Sequence, residues 1–178
     1  RVSHRAVLKR LAFLQDEYTL TAADRMLANT SYTFDVSVAE IFWPLLAGSS
    51  LVMAEETESR DPRALRRLIS EQSVSCTCIV PSALTGLLSL GTAETSSLAS
   101  LRLVLAAGEA LPQTLVQDFH TLCNARLANL YGPTEGTIYA SATDIDPIAS
   151  DISIGKAIAA TQLYVINSAT QLQPFGTE

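Results

Sequence analysis

The run Leu101-Arg102-Leu103-Val104-Leu105-Ala106-Ala107 is apolar at every position but one. A strand of that kind has no wet face, so helices must cover both sides of its sheet. The rest of the chain agrees. Strand-like segments at 24–29, 50–54, 74–80 and 126–131 alternate with helical stretches, the pattern of βαβ units and a parallel sheet.

The helices carry their own start and stop signals. Ser3 caps a helix running to about Gln15 through Val7, Leu8, Leu11 and Leu14. Val38, Ile41, Phe42, Leu45 and Leu46 form a second stripe, closed by Gly48, with Pro44 expected either to kink the helix or to sit where the missing hydrogen bond is tolerated. Asp61-Pro62 places an N-cap before proline at the first helical position. Pro81 ends a strand before a helix from Ser82 to about Leu90, and Pro112 opens one with Leu115, Val116, Phe119 and Leu122 on one face. Glu55 to Arg60 reads as a charged loop and 91–100 as a loop of small polar residues. After Glu135 come two strand-like segments, Gly136 to Ala142 and Leu163 to Asn167, with no helix between. The fold expected is therefore α/β: three layers, a mainly parallel sheet flanked by helices, and a small antiparallel strand region at the C-terminal end.

With 178 residues, 48% of them hydrophobic, the chain can bury the core of one globular unit. A net charge of −6 and no basic tract argue against nucleic acid or an anionic membrane surface as main partner. Cys76, Cys78 and Cys123 include no CxxC pair, and only His4 and His120 could assist them, which argues against a zinc site. Cys76 and Cys78 share a strand face and read as a buried reduced pair, as expected in the cytoplasm. Neither a signal peptide nor a long apolar run is present. The first residue is not Met, and Pro174 to Glu178 reads as a strand and loop cut short, so a piece of a longer protein is expected.

Four clusters each end or follow an expected strand: Asp35, Cys78 to Pro81, Ala107-Gly108-Glu109, and Tyr131 to Glu135. In a parallel sheet those ends share one side and line one crevice. At Asn129-Leu130-Tyr131-Gly132-Pro133-Thr134-Glu135 an apolar run stops at Gly-Pro, then a hydroxyl and a carboxylate follow. A hydroxyl can bond a phosphate oxygen and a carboxylate suits Mg²⁺. Taken alone, the same residues are equally an ordinary polar loop, and Asp35 alone reads as a helix N-cap.

Three motifs together resemble the adenylate-forming, AMP-binding enzymes, in the form used by adenylation domains of nonribosomal peptide synthetases. They are Phe34-Asp35-Val36-Ser37 with Glu40 to Gly48, Ala107-Gly108-Glu109-Ala110-Leu111, and Asn129 to Glu135. The resemblance covers essentially the whole chain, as the middle of such a domain. It implies activation of an amino acid by ATP to aminoacyl-AMP with release of pyrophosphate. Loading onto phosphopantetheine of a peptidyl carrier domain would come next, beside a condensation domain. By the resemblance Asp35 pairs with the substrate α-ammonium and Phe34 is an aromatic wall. Gly108 and Tyr131 enclose adenine, Asn129 bonds its amino group, and Glu109, Ala110 and Gly132 complete the nucleotide site. Thr134 contacts phosphate, and Glu135 is the Mg²⁺ ligand. Val36, Ala39, Cys78, Leu105, Ala107, Leu130, Ile138 and Tyr139 match the side-chain pocket, although composition alone would make them core. That set is apolar but for one hydroxyl, and its small residues suggest an apolar, bulky or aromatic amino acid.

Some family parts would lie outside this stretch. The phosphate loop would precede Arg1, and Val2-Ser3-His4 resembles the segment next to that loop. The ribose-binding aspartate, the hinge and the C-terminal subdomain with its catalytic lysine would lie beyond Glu178. Ala157 stands where proline is usual in Ile154-Gly155-Lys156-Ala157. The stretch by itself is expected to bind ATP weakly and catalyse little. Two other readings stay open: an acyl- or aryl-CoA ligase of the same superfamily, and a catalytically silent α/β binding module.

Overall fold

The computed structural model describes residues 1–90, 98–148 and 151–174. Most of the expected 91–100 loop, and residues 175–178, lie outside the described residues. The elements run α1 (His4–Tyr18), β1 (Arg25–Ala28), α2 (Val36–Ala47), β2 (Ser50–Met53), α3 (Glu56–Arg60), α4 (Pro62–Glu71) and β3 (Cys76–Ile79). Then come α5 (Pro81–Leu88), β4 (Leu103–Ala107), α6 (Gln113–Leu122), β5 (Arg126–Tyr131), a 3₁₀ turn (Thr134–Gly136), β6 (Ser141–Asp144) and β7 (Lys156–Ala157). The strands form a seven-stranded sheet in the order β2-β1-β3-β4-β5-β6-β7. β2 through β5 pair in parallel, while β6 and β7 add antiparallel.

Alternation along the strands makes the three layers. In β4, Val104 and Ala106 face a core built with α4, α5 and α6; Leu103, Leu105 and Ala107 face the core under α1 and α2. All five are buried, which explains the unbroken apolar run. Cys76 and Cys78 point to the α1–α2 side as free, buried thiols. Burial pushes both thiols up, Cys76 to about 11, so neither is poised for redox chemistry.

Local signals hold where they are local. Ser3 accepts from the Ala6 amide and Asp61 from the Arg63 amide, and Gly48 takes a left-handed φ of 71°. α2 continues across Pro44 to Ala47. Three expectations need correction. Glu55 to Arg60 is not a loop: Glu55 and Glu58 form a capping box, Arg60 pairs with Glu56 at 2.6 Å, and a short helix results. The strand expected from Gly136 begins only at Ser141, because Thr137 and Ile138 both take φ of 68°, which no strand allows. Leu163 to Asn167 joins no sheet; it contributes one isolated bridge, Ile166 to Leu172. No helix among the described residues is long and apolar enough to cross a membrane.

The amino ends of the parallel strands are tied by one buried carboxylate. Arg102 grips Asp24 with Nε at 2.6 Å and Nη2 at 2.8 Å, and Nη2 also donates to the Thr19 carbonyl. The Ser75 hydroxyl and the Thr21 amide add 2.8 Å bonds to the same carboxylate. The Arg102 bonds hold the Asp24 carboxyl well below the usual carboxylate range, against its burial. This stabilisation is complete above the unfolded pKa of about 3.9 and is lost as pH falls through the lower folded value. Because Arg102 is half exposed, Asp24→Asn is expected to cost about 2–3 kcal/mol at pH 7, less than the roughly 3–5 kcal/mol of a fully buried pair. Urea unfolding of both proteins checks this; equal midpoints at pH 7 would show the tie to be idle.

Candidate active site

Parallel pairing brings four loops to one edge of the sheet. β1 leads into 29–35, β3 into Val80-Pro81, β4 into Gly108-Glu109 and β5 into Gly132 to Glu135. Gly108 holds φ of 86°, and an added Cβ would meet only Val80 at 3.4 Å, so backbone conformation rather than space selects glycine. Gly132 is the reverse case: a Cβ there would lie 2.7 Å from the Ala140 nitrogen and the Tyr139 Cα. Glu109 accepts from the Ser82 amide and hydroxyl, both at 2.9 Å, so its carboxylate anchors the start of α5 to the β4 turn.

Between these turns lies a cleft of about 340 Å³. Gly108, Glu109, Ala110, Asn129, Tyr131 and Gly132 line it, six of the seven residues expected at the nucleotide; the seventh, Thr134, does not. Ile152 and Ile154 form a further wall that no sequence signal announced. That wall is held by Asn129, whose amide Nδ2 donates to the Ser153 carbonyl at 2.9 Å. The Asn129 Oδ1 carries no hydrogen bond among the described residues, and the Tyr131 ring stands half exposed at the mouth. Thr134 and Glu135 sit exposed on the 3₁₀ turn, outside that cleft, and Glu135 has no ion pair among the described residues.

On the α1–α2 side a second cluster forms. Cys78, Leu105, Ala107 and Leu130 share one sheet face in adjacent register, Cys78 beside Leu105 and Ala107 beside Leu130. Val36 and Ala39 from the first turn of α2 pack on them, and Ile138 and Tyr139 fold back over them. Asp35 occupies the N-cap place of α2 but makes no side-chain capping bond. Its Oδ2 is buried and has no hydrogen-bond partner among the described residues. Phe34 is exposed and borders a further cleft of about 660 Å³, together with Met53 and Arg60.

The AMP-binding enzyme family matches residues 1–178. The chain belongs to that family. Tyrocidine synthase 3 of Brevibacillus parabrevis is 38% identical over 177 residues, 98% of this chain and 3% of its own length. Enterobactin synthase component F of Escherichia coli is 42% identical over 139 residues, 77% of this chain and 11% of its own. The chain thus spans a small part of these curated relatives. The adenylation domain AlmE of Vibrio cholerae superposes with a TM-score of 0.89 at 28% identity, covering 99% of this chain and 34% of that one. A four-domain nonribosomal peptide synthetase gives 0.87 at 30% identity, covering 98% of this chain and 13% of its own. The α/β fold and the resemblance to adenylation domains both hold.

Two residues of this AMP-binding chain position the site without having been singled out for it. Glu40, fully buried in α2, accepts from the Thr30 amide at 3.0 Å and the Thr30 hydroxyl at 2.7 Å. It thereby fastens the loop that carries Phe34 and Asp35. A lone carboxylate inside an apolar stripe was the available signal. Arg10 of α1 donates to the carbonyls of Gly136 at 3.3 Å and Ala159 at 3.1 Å, fixing the turn after Glu135. Nothing in the sequence distinguishes it from the other cations of α1.

Burial pushes the Glu40 carboxyl up to about 7, although its Thr30 bonds oppose the shift. The folded state therefore holds this proton more tightly than the unfolded chain. Glu40 contributes stability that is full below the unfolded pKa of about 4.3 and is lost as pH rises through 7. Glutamine copies the protonated form, donating to the Thr30 hydroxyl and accepting from its amide. Wild type is expected to weaken between pH 5.5 and 8 in urea unfolding, with a visibly smaller loss in Glu40→Gln. Identical slopes would remove Glu40 as the cause.

Proposed function

We propose that this chain supplies the ATP and amino-acid sites of an adenylation domain in a peptide synthetase. The observation that carries the reading is the orphaned Oδ2 of Asp35. A carboxylate buried without a partner is costly, and a ligand cation removes that cost. The surrounding cluster is apolar, so the ligand suited to it carries an ammonium beside an uncharged side chain. An α-amino acid does so.

The other residues divide the remaining work. Gly108 and Tyr131 suit the two faces of adenine, and the free Asn129 Oδ1 suits its exocyclic amino group. Thr134 offers a hydroxyl to phosphate. No group of three metal-ligating side chains occurs among the described residues, so Glu135 would hold Mg²⁺ only jointly with phosphate oxygens, the usual manner for this ion. When bound, Mg²⁺ supplies charge neutralisation on the departing pyrophosphate. The amino-acid carboxylate, placed by Asp35 through its ammonium, attacks the α-phosphorus; the bond to the β-phosphate oxygen breaks and aminoacyl-AMP forms. The acyl group then passes to a phosphopantetheine thiol on a carrier domain, with a condensation domain adjacent, in the cytoplasm. Positioning and electrostatic stabilisation are the protein's contribution. AlmE was solved with glycyl-adenosine-5′-phosphate and the four-domain synthetase with AMP and glycine, which supports the same division of the site. An acyl- or aryl-CoA ligase would have no use for the Asp35 charge.

The test is amino-acid-dependent ATP–pyrophosphate exchange on the complete polypeptide. Asp35→Ala and Glu135→Ala are each expected to lose roughly 100-fold or more. Asp35→Ala removes no hydrogen bond, so its unfolding midpoint is expected to match or exceed that of wild type. Exchange driven by a hydrophobic carboxylic acid, and by no amino acid, would replace this reading with the acyl ligase.

A further inference from the structure

We infer that Tyr139 seals the side-chain pocket, so that the amino acid taken is small, of glycine or alanine size, rather than bulky or aromatic. The inference rests on the amino-acid reading above and adds the size limit.

Asp35 fixes where the ammonium lies, and the substrate Cα is one bond away. From there a side chain that is to be enclosed by the cluster must extend inward, over the sheet face. Inward there is no room. Cys78, Leu105 and Ala39 are 0% exposed and Tyr139 is 1% exposed. An enclosed cavity would leave its walls open to a water-sized probe, and these walls are not. The same holds for the fully buried Trp43 in this cluster.

Tyr139 is what fills the space. Ala39 and Ala107, the small residues that suggested a roomy pocket, are buried in the same cluster as its ring. Its hydroxyl lies 3.6 Å from the Cys78 sulfur. Burial is the main cause that pushes this phenol well above its usual range, in keeping with a ring enclosed on all sides. The backbone around it is clamped as well. The Tyr139 amide donates to Thr137 and the Ala140 amide to Tyr131, while the Gly132 backbone passes against it. Swinging the ring aside would break this packing.

The experiment measures exchange kinetics on the complete polypeptide with glycine, alanine, leucine and phenylalanine. Glycine or alanine is expected to exceed leucine and phenylalanine by about 100-fold or more in kcat/KM. Tyr139→Ala opens the floor and is expected to shift that ratio at least about tenfold toward leucine or phenylalanine, with the smaller change Tyr139→Val as a second variant if alanine does not fold. Wild-type exchange led by leucine or phenylalanine overturns the size limit and leaves the amino-acid reading standing. Exchange with no amino acid overturns both. Variants that fold but keep the wild-type ratio overturn the role of Tyr139.

Discussion

Parallel pairing of β1, β3, β4 and β5 is the constraint on which the rest depends. Strands running the same way need crossover connections, and here helices supply them and bury both faces of the sheet. The same constraint sends every loop leaving a carboxyl end to one edge, which is why the loops carrying Asp35, Gly108 and Tyr131 lie along it although they are far apart in sequence. The opposite edge is closed by Asp24 and Arg102, which draw the ends of α1, β1, β3 and β4 into one polar knot. Internal hydrogen bonds hold both edges, but at the carboxyl edge the Asp35 Oδ2 has no partner among the described residues.

The period of two along β5 separates two chemistries. Leu130 faces the side-chain cluster under α2, while Asn129 faces the cleft beside Gly108 and holds the Ile152–Ile154 wall. A register slip of one residue would exchange the two faces and destroy both sites. The antiparallel partner β6, with Ala142 opposite Leu130 and Ser141 opposite Tyr131, adds to the pairing that fixes that register.

Much of this was legible in the residues, for local reasons. Leu101 to Ala107 declared a doubly covered strand, Asp61-Pro62 a helix start and Gly48 a helix end, and each rests on its own side chains or on a single φ. The misreadings rest on distant partners. Residues 136–140 look extended, yet Thr137 and Ile138 are driven into positive φ where the chain folds back so that Tyr139 enters the core. Residues 163–167 have strand-like composition but no strand beside them. The site divides the same way. Its clusters came from topology, and its motif residues from the family resemblance they carry. Pocket size did not, because a roll of side chains cannot say whether Tyr139 borders the space left by Ala39 and Ala107 or fills it. Arg10 had no signal, since its value lies in reaching Gly136, 126 positions away.

Asp35 and Glu40 stand five residues apart in one motif and meet opposite fates. Glu40 is buried with both oxygens occupied by Thr30, so its bonds are complete before any ligand arrives. Asp35 is held by the loop that Glu40 fastens, yet one of its oxygens is enclosed without a donor. The first carboxylate builds the support and the second is what the support presents. Ile138, a β-branched residue at φ of 68°, adds strain of roughly 1–3 kcal/mol at the rim of the same cluster. Both features lower the stability of the ligand-free protein and are tolerated because the surrounding core over-determines their positions. Only one of them is relieved by binding. On the proposed amino-acid reading an ammonium at Asp35 would supply the missing donor, whereas the positive φ at Ile138 belongs to the turn that brings Tyr139 into the core. On the proposed reading the charge at Asp35 is met only while substrate is bound, whereas the packing of Tyr139 is part of the fold itself.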